Sequence, residues 1–420
     1  MKIFKFGGAS VNSVDRIKQM ADILRLYKGE KKLVVISAMG KTTNALEKVA
    51  AAFFNNAKEE ALQLFNHIKT QHITTAKYLL ITGYNAAYEQ LSQLFTEIEW
   101  ALHDKPVRDY DYYYDQIVCL GELLSTTIIS AYLNEKGIAN AWIDVRDVLR
   151  TDDTFREAVI DWAAAAGNTE RLIAPLFEKN DIVITQGFIG ATDENESTTL
   201  GREGSDYTAA VFAGLLDAES VTIWKDVEGV MNADPKIFAT AELIPELNYD
   251  EVIEMAYYGA QVIHPKTIKP LQNKSIPLYV KCFLDPALPG TIIHNKALKH
   301  LPPIIVIKND QVLLHLHSTD FSFIGEHTMS HLYHLFAEYT IRPGLIQTGA
   351  VSLMVCTDEQ EGKTDRLAAE AAAIFDVQVE KGLTLLTIRH YTPEVLDAMT
   401  AGKVIVLRQQ SKETAQVLMR

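Results

Sequence analysis

The first residues of the chain constrain its fold more than any other part. Residues 2–6 form a short, mostly apolar segment typical of a strand, and they run directly into Gly7 and Gly8. Ser13 can then cap a helix over residues 14–27. A strand that enters a helix through glycines leaves free backbone N–H groups and a positive helix end facing a ligand. The pattern predicts a phosphate-binding turn in an α/β fold.

A second glycine-rich segment, residues 199–210, carries charged side chains at the start of a predicted helix. Asp206 would repel an anion unless it orients a cation or a metal, so it indicates phosphoryl transfer rather than simple phosphate binding. The alternative is an ordinary helix start with Ser205 as the cap. Lys5, at the end of the first strand, can place its ammonium against a moving phosphoryl group, which favours the first interpretation.

Several further motifs occur in the order and approximate spacing of aspartate kinases. Together with residues 199–210 they are Lys5 to Ser10, Val34 to Asn44, Gly121 to Ser125, Trp224 to Val230, Ala233 to Lys236 and Val262 to Pro265. The chain therefore resembles this family, strongly from residue 1 to about residue 295 and loosely beyond. We expect the monofunctional form, since no dehydrogenase sequence follows residue 420.

The resemblance and the residue patterns predict the same fold class, α/β. Short apolar segments at 32–38, 139–145, 181–186 and 220–224 alternate with helical sequence, which is typical of a mostly parallel sheet sandwiched by helices. We expect an amino-acid-kinase-like catalytic domain over residues 1–295, with a helical insertion at 45–103.

The sequence pattern changes after Pro302 and Pro303. Strands are expected at 304–307, 312–317, 351–356, 383–389 and 404–407, and helices at 326–338, 364–375 and 393–399. The pattern is a weak repeat of a smaller α+β unit, and the resemblance to aspartate kinases implies a paired, ACT-like regulatory and dimerisation region over residues 302–420. The resemblance implies a homodimer or a higher homo-oligomer assembled through it.

Opposite charges define the expected substrate site. Arg202 can bind a carboxylate through two hydrogen bonds and Glu122 can pair with an α-ammonium, which suits an amino diacid. Glu122 could instead be only an acid in the first turn of a helix. The resemblance adds Thr43 and Ser205 to the substrate site, and makes Lys5 and Asp206 the catalytic residues.

The resemblance also implies a nucleotide site for ATP, with Mg²⁺ bound to the nucleotide and no metal site made by protein ligands alone. Its expected residues are Lys5, Phe6, Gly7, Gly8, Ser10, Lys225, Asp226, Met231, Asp234, Lys236 and Gln261. The Asp234–Pro235 pair could equally be a simple turn.

Three positions depart from the family pattern. Glu203 stands where many relatives have glycine, and Gln261 stands where relatives often have a lysine, for which Lys225, Lys266 or Lys281 could compensate. Residues 347–352 lack an acid where lysine-binding relatives typically carry one, so we expect lysine to inhibit weakly or not at all.

Composition limits the partners of the chain. The net charge of -14 opposes nucleic-acid binding or anionic-membrane binding as a main task. We expect no apolar run of transmembrane length and no cleaved signal. Three cysteines without C-x-x-C spacing favour buried thiols in a reducing cytoplasm.

The predicted function is ATP-dependent phosphorylation of the L-aspartate side chain to 4-phospho-L-aspartate, the first step towards lysine, threonine and methionine in the family that the chain resembles. Two alternatives remain at this point. One is a kinase for another small amino acid, such as glutamate. The other is a ligand-sensing ACT protein with a decayed kinase domain.

Overall fold

Two compact units make up the computed structural model, which describes residues 1–260, 262–298, 300–320 and 322–420. The first unit comprises Met1–Val230, Leu243–Ile253 and Val262–Ala297, and the second comprises Met231–Glu242, Glu254–Gln261 and Leu298–Arg420. The sequence prediction assigns residues 231–242 and 254–261 to the catalytic domain. They pack instead with the C-terminal residues: the Asn232 carbonyl accepts a hydrogen bond from Ile305 N at 2.7 Å, and Glu254 pairs with Arg389 at 3.4 Å.

An eight-stranded sheet forms the centre of the first unit, with strand order β3-β4-β2-β1-β7-β9-β10-β8. Every neighbouring pair is parallel except β9 with β10. The strands are β1 Lys2–Phe6, β2 Lys32–Ile36, β3 Ala141–Trp142, β4 Ile182–Gln186, β7 Ser220–Lys225, β8 Glu246–Asn248, β9 Leu278–Cys282 and β10 Thr291–His294. A separate hairpin pairs β5 Ile189–Ala191 with β6 Ser197–Thr199. The central strands are mostly apolar and almost entirely buried, as expected for a parallel sheet that helices cover on both faces.

Helices precede and follow these strands. They are α1 Val14–Leu26, α2 Thr42–Phe54, α3 Lys58–Leu79, α4 Tyr84–His103, α5 Tyr110–Val118, α6 Leu120–Glu135, α7 Trp162–Asn168, α8 Gly204–Leu215, α9 Tyr249–Tyr257 and α10 Pro265–Lys274. The expected insertion at 45–103 comprises α2 to α4. Its buried side chains, among them Phe65 and Phe95, belong to the same hydrophobic core as Phe4 and Phe6 of β1. The insertion therefore extends the core of the sheet.

The second unit contains a six-stranded antiparallel sheet with order β12-β13-β11-β14-β16-β15. Its elements are β11 Ile304–Ser318, α11 Glu326–Glu338, β12 Pro343–Thr348, β13 Ser352–Asp358, α12 Lys363–Ala371, β14 Phe375–Arg389, α13 Pro393–Thr400, β15 Ile405–Gln410 and β16 Thr414–Met419. The order strand, helix, strand, strand occurs twice, with α12 between the two units. The sequence predicts a weak repeat here, but it does not predict β12 or β16. The strands expected at 304–307 and 312–317 are one strand, β11, with an irregular register between Lys308 and Gln311.

One expectation about membranes needs correction. Residues 110–135, which form α5 and α6, are long and apolar enough to cross a membrane, whereas the sequence predicts no such run. In the structure, 89% of the most apolar window of this segment is buried inside the protein. The segment is therefore the core of the first unit, which explains its composition.

Candidate active site

The candidate site lies at the carboxyl ends of three adjacent strands. β1 pairs in parallel with β2 on one side and with β7 on the other, so the chain leaves these strands at the same edge of the sheet. A point where neighbouring connections diverge in this way is the usual ligand position in an open α/β sheet. Lys5, Gly7 and Gly8 lie at this edge, as the sequence predicts.

The fold brings together Lys5 and Asp206, which lie far apart along the chain. The Lys5 Nζ lies 2.6 Å from Asp206 Oδ1, and both side chains are largely buried. Asp206 is in the first turn of α8, and a Cβ on Gly7 would lie 3.3 Å from Lys5 Nζ. The lysine amine therefore stands over the glycine turn, and Asp206 fixes its position.

Gly8 allows the loops after β1 and β2 to touch. A Cβ at this position would lie 2.8 Å from the carbonyl oxygens of both Ala38 and Gly40, a separation that no real side chain tolerates. Gly40 N donates a hydrogen bond to the Gly8 carbonyl at 3.0 Å. Thr43 follows three residues after Gly40, in the first turn of α2, and is half-buried.

Glu122 reaches the same loops from α6. A Cβ on Gly121 would lie 2.9 Å from the Ala38 Cβ, so this glycine lets α6 approach the end of β2 closely. Ala38 N donates a hydrogen bond to Glu122 Oε1 at 3.1 Å, while Glu122 Oε2 has no hydrogen-bond partner among the described residues. Burial raises the pKa of Glu122 to about 8, against the opposing effects of this hydrogen bond and of the Lys5 charge. The unpartnered oxygen is a place for a ligand cation.

The other expected substrate residues belong to α8 and to the loop before it. Ser205 is buried in the first turn of α8. Arg202 is exposed, and it forms no hydrogen bond or ion pair with the part of the chain that the structure describes. Its guanidinium is therefore available to a ligand.

Three expected nucleotide-binding side chains in the first unit have structural roles. Phe6 lies in the core, stacked on Trp224 with ring centroids 6.0 Å apart, so its side chain is not available to a nucleotide. Ser10 Oγ donates to the Trp224 carbonyl at 3.3 Å, and Lys225 Nζ donates to the Val262 carbonyl at 2.7 Å. Asp226 is exposed.

The remaining expected nucleotide residues belong to the second unit. Met231 is half-buried, and Asp234 and Lys236 are exposed. Asp234 Oδ1 accepts a hydrogen bond from Lys236 N at 2.9 Å, so the Asp234–Pro235 pair does form a turn. Gln261 lies outside the described residues.

Glu203, which departs from the family pattern, adopts a left-handed backbone conformation with φ of 54°. Its Oε2 accepts a hydrogen bond from His264 N at 2.8 Å, just before α10. Lys266 Nζ in turn donates to the Leu200 carbonyl at 3.3 Å. The Glu203 carboxylate therefore connects the glycine-rich loop to the start of α10. Lys281, another candidate to replace a lysine at 261, lies 5.8 Å from the centre of the Trp224 ring.

Asp115 lies directly behind the glycine-rich loop that precedes α8, and the sequence predicts no role for it. Asp115 Oδ2 accepts hydrogen bonds from Thr199 N at 2.8 Å and from Arg156 N at 2.9 Å. Asp115 precedes Glu122 by seven residues in a helical segment, so both acids project from similar faces. This seven-residue spacing from Glu122 is the sequence signal that could have indicated a role for Asp115.

Comparisons with known proteins agree with this geometry. The model of the amino acid kinase family matches residues 1–282. The chain is 34% identical over 400 residues to lysine-sensitive aspartokinase 3 of Escherichia coli (strain K12), over 92% of this chain and 86% of that protein. It is 33% identical over 405 residues to the chloroplastic aspartokinase 1 of Arabidopsis thaliana, over 92% of this chain and 70% of the relative.

Solved structures show the same relationship. The crystal structure of E. coli aspartokinase III in complex with aspartate and ADP, in the R-state, matches with a TM-score of 0.84 at 30% identity, over 100% of this chain and 96% of that chain. The T-state structure of the E. coli enzyme in complex with lysine and aspartate matches with a TM-score of 0.81 at 31% identity, over 100% of this chain and 95% of that chain. The chain belongs to the amino acid kinase family and, within it, to the aspartokinases.

Proposed function

We propose that this chain transfers the γ-phosphoryl group of ATP to the side-chain carboxylate of L-aspartate and releases 4-phospho-L-aspartate and ADP. The observation that carries the proposal is the buried Lys5–Asp206 pair over the glycine turn, close to a buried Glu122 with one unpartnered oxygen. A phosphate cradle beside a receptor for an ammonium group suits an enzyme that phosphorylates an amino acid. These retained groups also argue against a decayed kinase domain.

Glu122 and Arg202 orient the substrate in this proposal. The free Oε2 of Glu122 accepts the α-ammonium of aspartate, and the exposed guanidinium of Arg202 binds a carboxylate through two parallel hydrogen bonds. Thr43 and Ser205, in the first turns of α2 and α8, supply hydroxyl groups to the same region. The substrate is thereby held with its side-chain carboxylate towards Lys5.

Lys5 and the glycine turn act on the transferred group. Phosphoryl transfer needs alignment of donor and acceptor and neutralisation of charge on the moving group. Lys5 Nζ and the amides of Gly7 and Gly8 supply this neutralisation, and Asp206 holds the lysine in place. No general base is needed, because the accepting carboxylate is already ionised at neutral pH.

Mg²⁺ fits this site as a companion of the nucleotide. Among the described residues, no group of three or more His, Cys, Asp or Glu side chains is arranged to hold a metal ion. Mg²⁺ commonly binds through phosphate oxygens, waters and one or two carboxylates, and Asp206 adjoins the cradle. When bound, the ion would supply further neutralisation of the phosphate charge.

The finer assignments remain part of the proposal. We assign the nucleotide to Lys225, Asp226 and the backbone of residues 6–10, and Met231, Asp234, Lys236 and Gln261 stay predictions from the resemblance. The enzyme acts in the cytoplasm as a homodimer or higher homo-oligomer assembled through residues 302–420, in lysine and threonine synthesis. Gly349 and Ala350 offer no side-chain carboxylate to an effector ammonium, so we expect weak inhibition by lysine.

An ADP-release assay across a panel of amino acids tests the proposal. Aspartate should stimulate ADP release far more than glutamate, because a substrate held at its α-carbon by Glu122 and Arg202 reaches Lys5 with its side-chain carboxylate at only one side-chain length. Equal rates with both substrates would favour the broader amino-acid kinase, and no release with any amino acid would favour the decayed domain.

A further inference from the structure

Asp115 is a buried carboxylate with no part in the phosphoryl chemistry proposed above. It is fully buried in α5 and accepts three hydrogen bonds, from Arg156 N at 2.9 Å, Thr199 N at 2.8 Å and Thr199 Oγ1 at 2.7 Å. Burial raises the pKa of Asp115 to about 6, although these hydrogen bonds act to lower it. Burying a carboxylate costs free energy unless hydrogen bonds compensate for the lost water, and here three donors from two other segments supply that compensation.

Asp115 and its neighbour Gln116 take the place of a strand on the edge of β6 that β5 leaves unpaired. β6 pairs with β5 along one edge, and side chains of α5 cover much of its other edge. Gln116 accepts a hydrogen bond from Ser197 N at 3.0 Å and donates one to the Ser197 carbonyl at 2.8 Å. Asp115 takes Thr199 N, while the Thr199 carbonyl accepts from Ala158 N at 3.0 Å. Two consecutive side chains of α5 thus act in place of a missing strand.

The strand held in this way leads directly to the substrate loop. Thr199 is the last residue of β6, and Arg202 follows three residues later. Arg156, the other backbone donor to Asp115, packs against the same turn, since a Cβ on Gly201 would lie 3.2 Å from its carbonyl oxygen. The side chain of Arg156 pairs with Asp111 at 3.1 Å, which ties its loop to α5. Asp115 therefore fixes both sides of the turn that presents Arg202.

We propose that Asp115 is a positioning residue for the amino-acid substrate: by holding Thr199 and Arg156 it sets the place of Arg202. This inference rests on the proposed function, in which Arg202 binds the substrate carboxylate. The glycine turn at residues 7–8 is fixed separately, through Gly8 and Gly40. Loss of Asp115 therefore weakens aspartate binding and leaves ATP binding nearly unchanged.

The test compares steady-state constants of the full-length enzyme and its variants. Asp115→Asn keeps the size of the side chain but replaces one of its two acceptor oxygens with an NH₂ group. That group cannot accept the hydrogen bonds from Arg156 and Thr199. The substitution should raise KM for aspartate by about tenfold or more, with KM for ATP within about twofold of wild type. Thr199→Val, which removes the hydroxyl donor, should raise KM for aspartate less, and Thr199→Ser, which keeps the hydroxyl, should behave as wild type.

Ser130→Ala serves as the matched control, because it removes a buried hydrogen bond of 2.7 Å from Ser130 to Asn140 in a different helix, α6. It should lower the thermal stability without changing KM for aspartate. The aspartate-induced thermal shift gives a second readout: Asp115→Asn should lose it and keep the ATP-induced shift. If Asp115→Asn does not fold, Thr199→Val provides the test: the proposal requires its KM for aspartate to rise more than its KM for ATP.

An unchanged KM for aspartate in Asp115→Asn, or equal increases in both KM values, would overturn the positioning role. Such results in an enzyme that phosphorylates aspartate would leave the proposed function intact. A wild-type enzyme that does not phosphorylate aspartate would instead overturn the function and this inference together.

Discussion

Glu122 shows most clearly how burial prepares a residue for its ligand. Its pKa is raised to about 8 by burial, so the free protein holds a proton on this carboxyl at neutral pH more readily than an exposed acid does. An α-ammonium can pair with the group only after that proton leaves. In the proposed binding mode, substrate binding is therefore coupled to proton release.

This coupling predicts the pH dependence of substrate affinity. The affinity for aspartate should rise as pH increases from about 6 towards 8, and titration calorimetry in buffers of different ionisation enthalpy should detect the released proton. Glu122→Gln should bind aspartate at least about tenfold more weakly and should lose the slope. A pH-independent affinity in the wild type would contradict the assignment.

The same group affects the stability of the free protein. Because the pKa of Glu122 in the folded protein lies above its value in the unfolded chain, the favourable contribution of the protonated carboxyl is fully present below the ordinary glutamate pKa of 4.5 and is lost as pH rises through about 8. Glu122→Gln should therefore remove a decline in stability over this range, which denaturation at several pH values can measure.

Lys5 is expected to act on charge that develops in the transition state. Lys5→Ala should lower kcat by about 100-fold or more with a smaller effect on ATP affinity, and Asp206→Ala should do likewise because it loses the partner that holds the amine. Lys69→Ala, which removes a lysine paired with Glu99 at 2.8 Å in the helical insertion, is the control. Variants that lose only nucleotide affinity, with kcat intact, would show that the pair only binds.

At the scale of elements, the two glycine loops act as one unit. Gly8→Ala places a Cβ 2.8 Å from two backbone oxygens, so the loops after β1 and β2 must separate and activity should fall by at least about tenfold. Gly167→Ala is the matched control, because, apart from the chain neighbours and nearby backbone of its own helix, no described atom lies within 4 Å of the added Cβ. It should leave activity unchanged and stabilise α7 by up to about 1 kcal/mol. Full activity in Gly8→Ala would contradict the close approach of the loops.

The sequence predicts elements well where local pattern and burial agree. β1 is predicted at its observed bounds because a short, mostly apolar segment ends at two glycines, and α11 likewise because its apolar residues recur at helical spacing. β12 and β16 are not predicted from the sequence, since edge and antiparallel strands depend on partners far along the chain. Residues 364–375 are predicted as one helix, but α12 ends at Ala371 and β14 begins at Phe375.

In the candidate site, too, the sequence predicts what depends on local pattern and does not predict what depends on distant contacts. Glycines and charges near helix starts indicate Lys5, Asp206 and Glu122, because their chemistry follows from residue type and spacing. The sequence does not reveal that the Phe6 ring belongs to the core, or that Asp115 and Glu203 fix the loop before α8. Those roles depend on contacts between segments separated by 61 and 84 residues along the chain.

At the scale of the whole molecule, the chain order of the two units limits how the enzyme can be divided. Truncation after Asn295 would remove the residues that hold 231–242 and 254–261, including Ile305, which donates to Asn232, and Arg389, which pairs with Glu254. We expect the fragment to be monomeric or aggregated, and the full chain to be a dimer or larger, by light scattering after gel filtration. A soluble, dimeric fragment would contradict assembly through residues 302–420.

The identity of the phosphorylated product tests the proposed reaction most directly. The wild-type enzyme, given ATP, Mg²⁺, aspartate and hydroxylamine, should form the hydroxamate of the aspartate side-chain carboxylate, in an amount equal to the ADP released. Mass spectrometry and comparison with authentic standards distinguish this compound from the α-hydroxamate. Lys5→Ala should form about 100-fold less product per unit time. Release of ADP without any aspartyl hydroxamate, or formation of the α-hydroxamate, would contradict the proposed reaction.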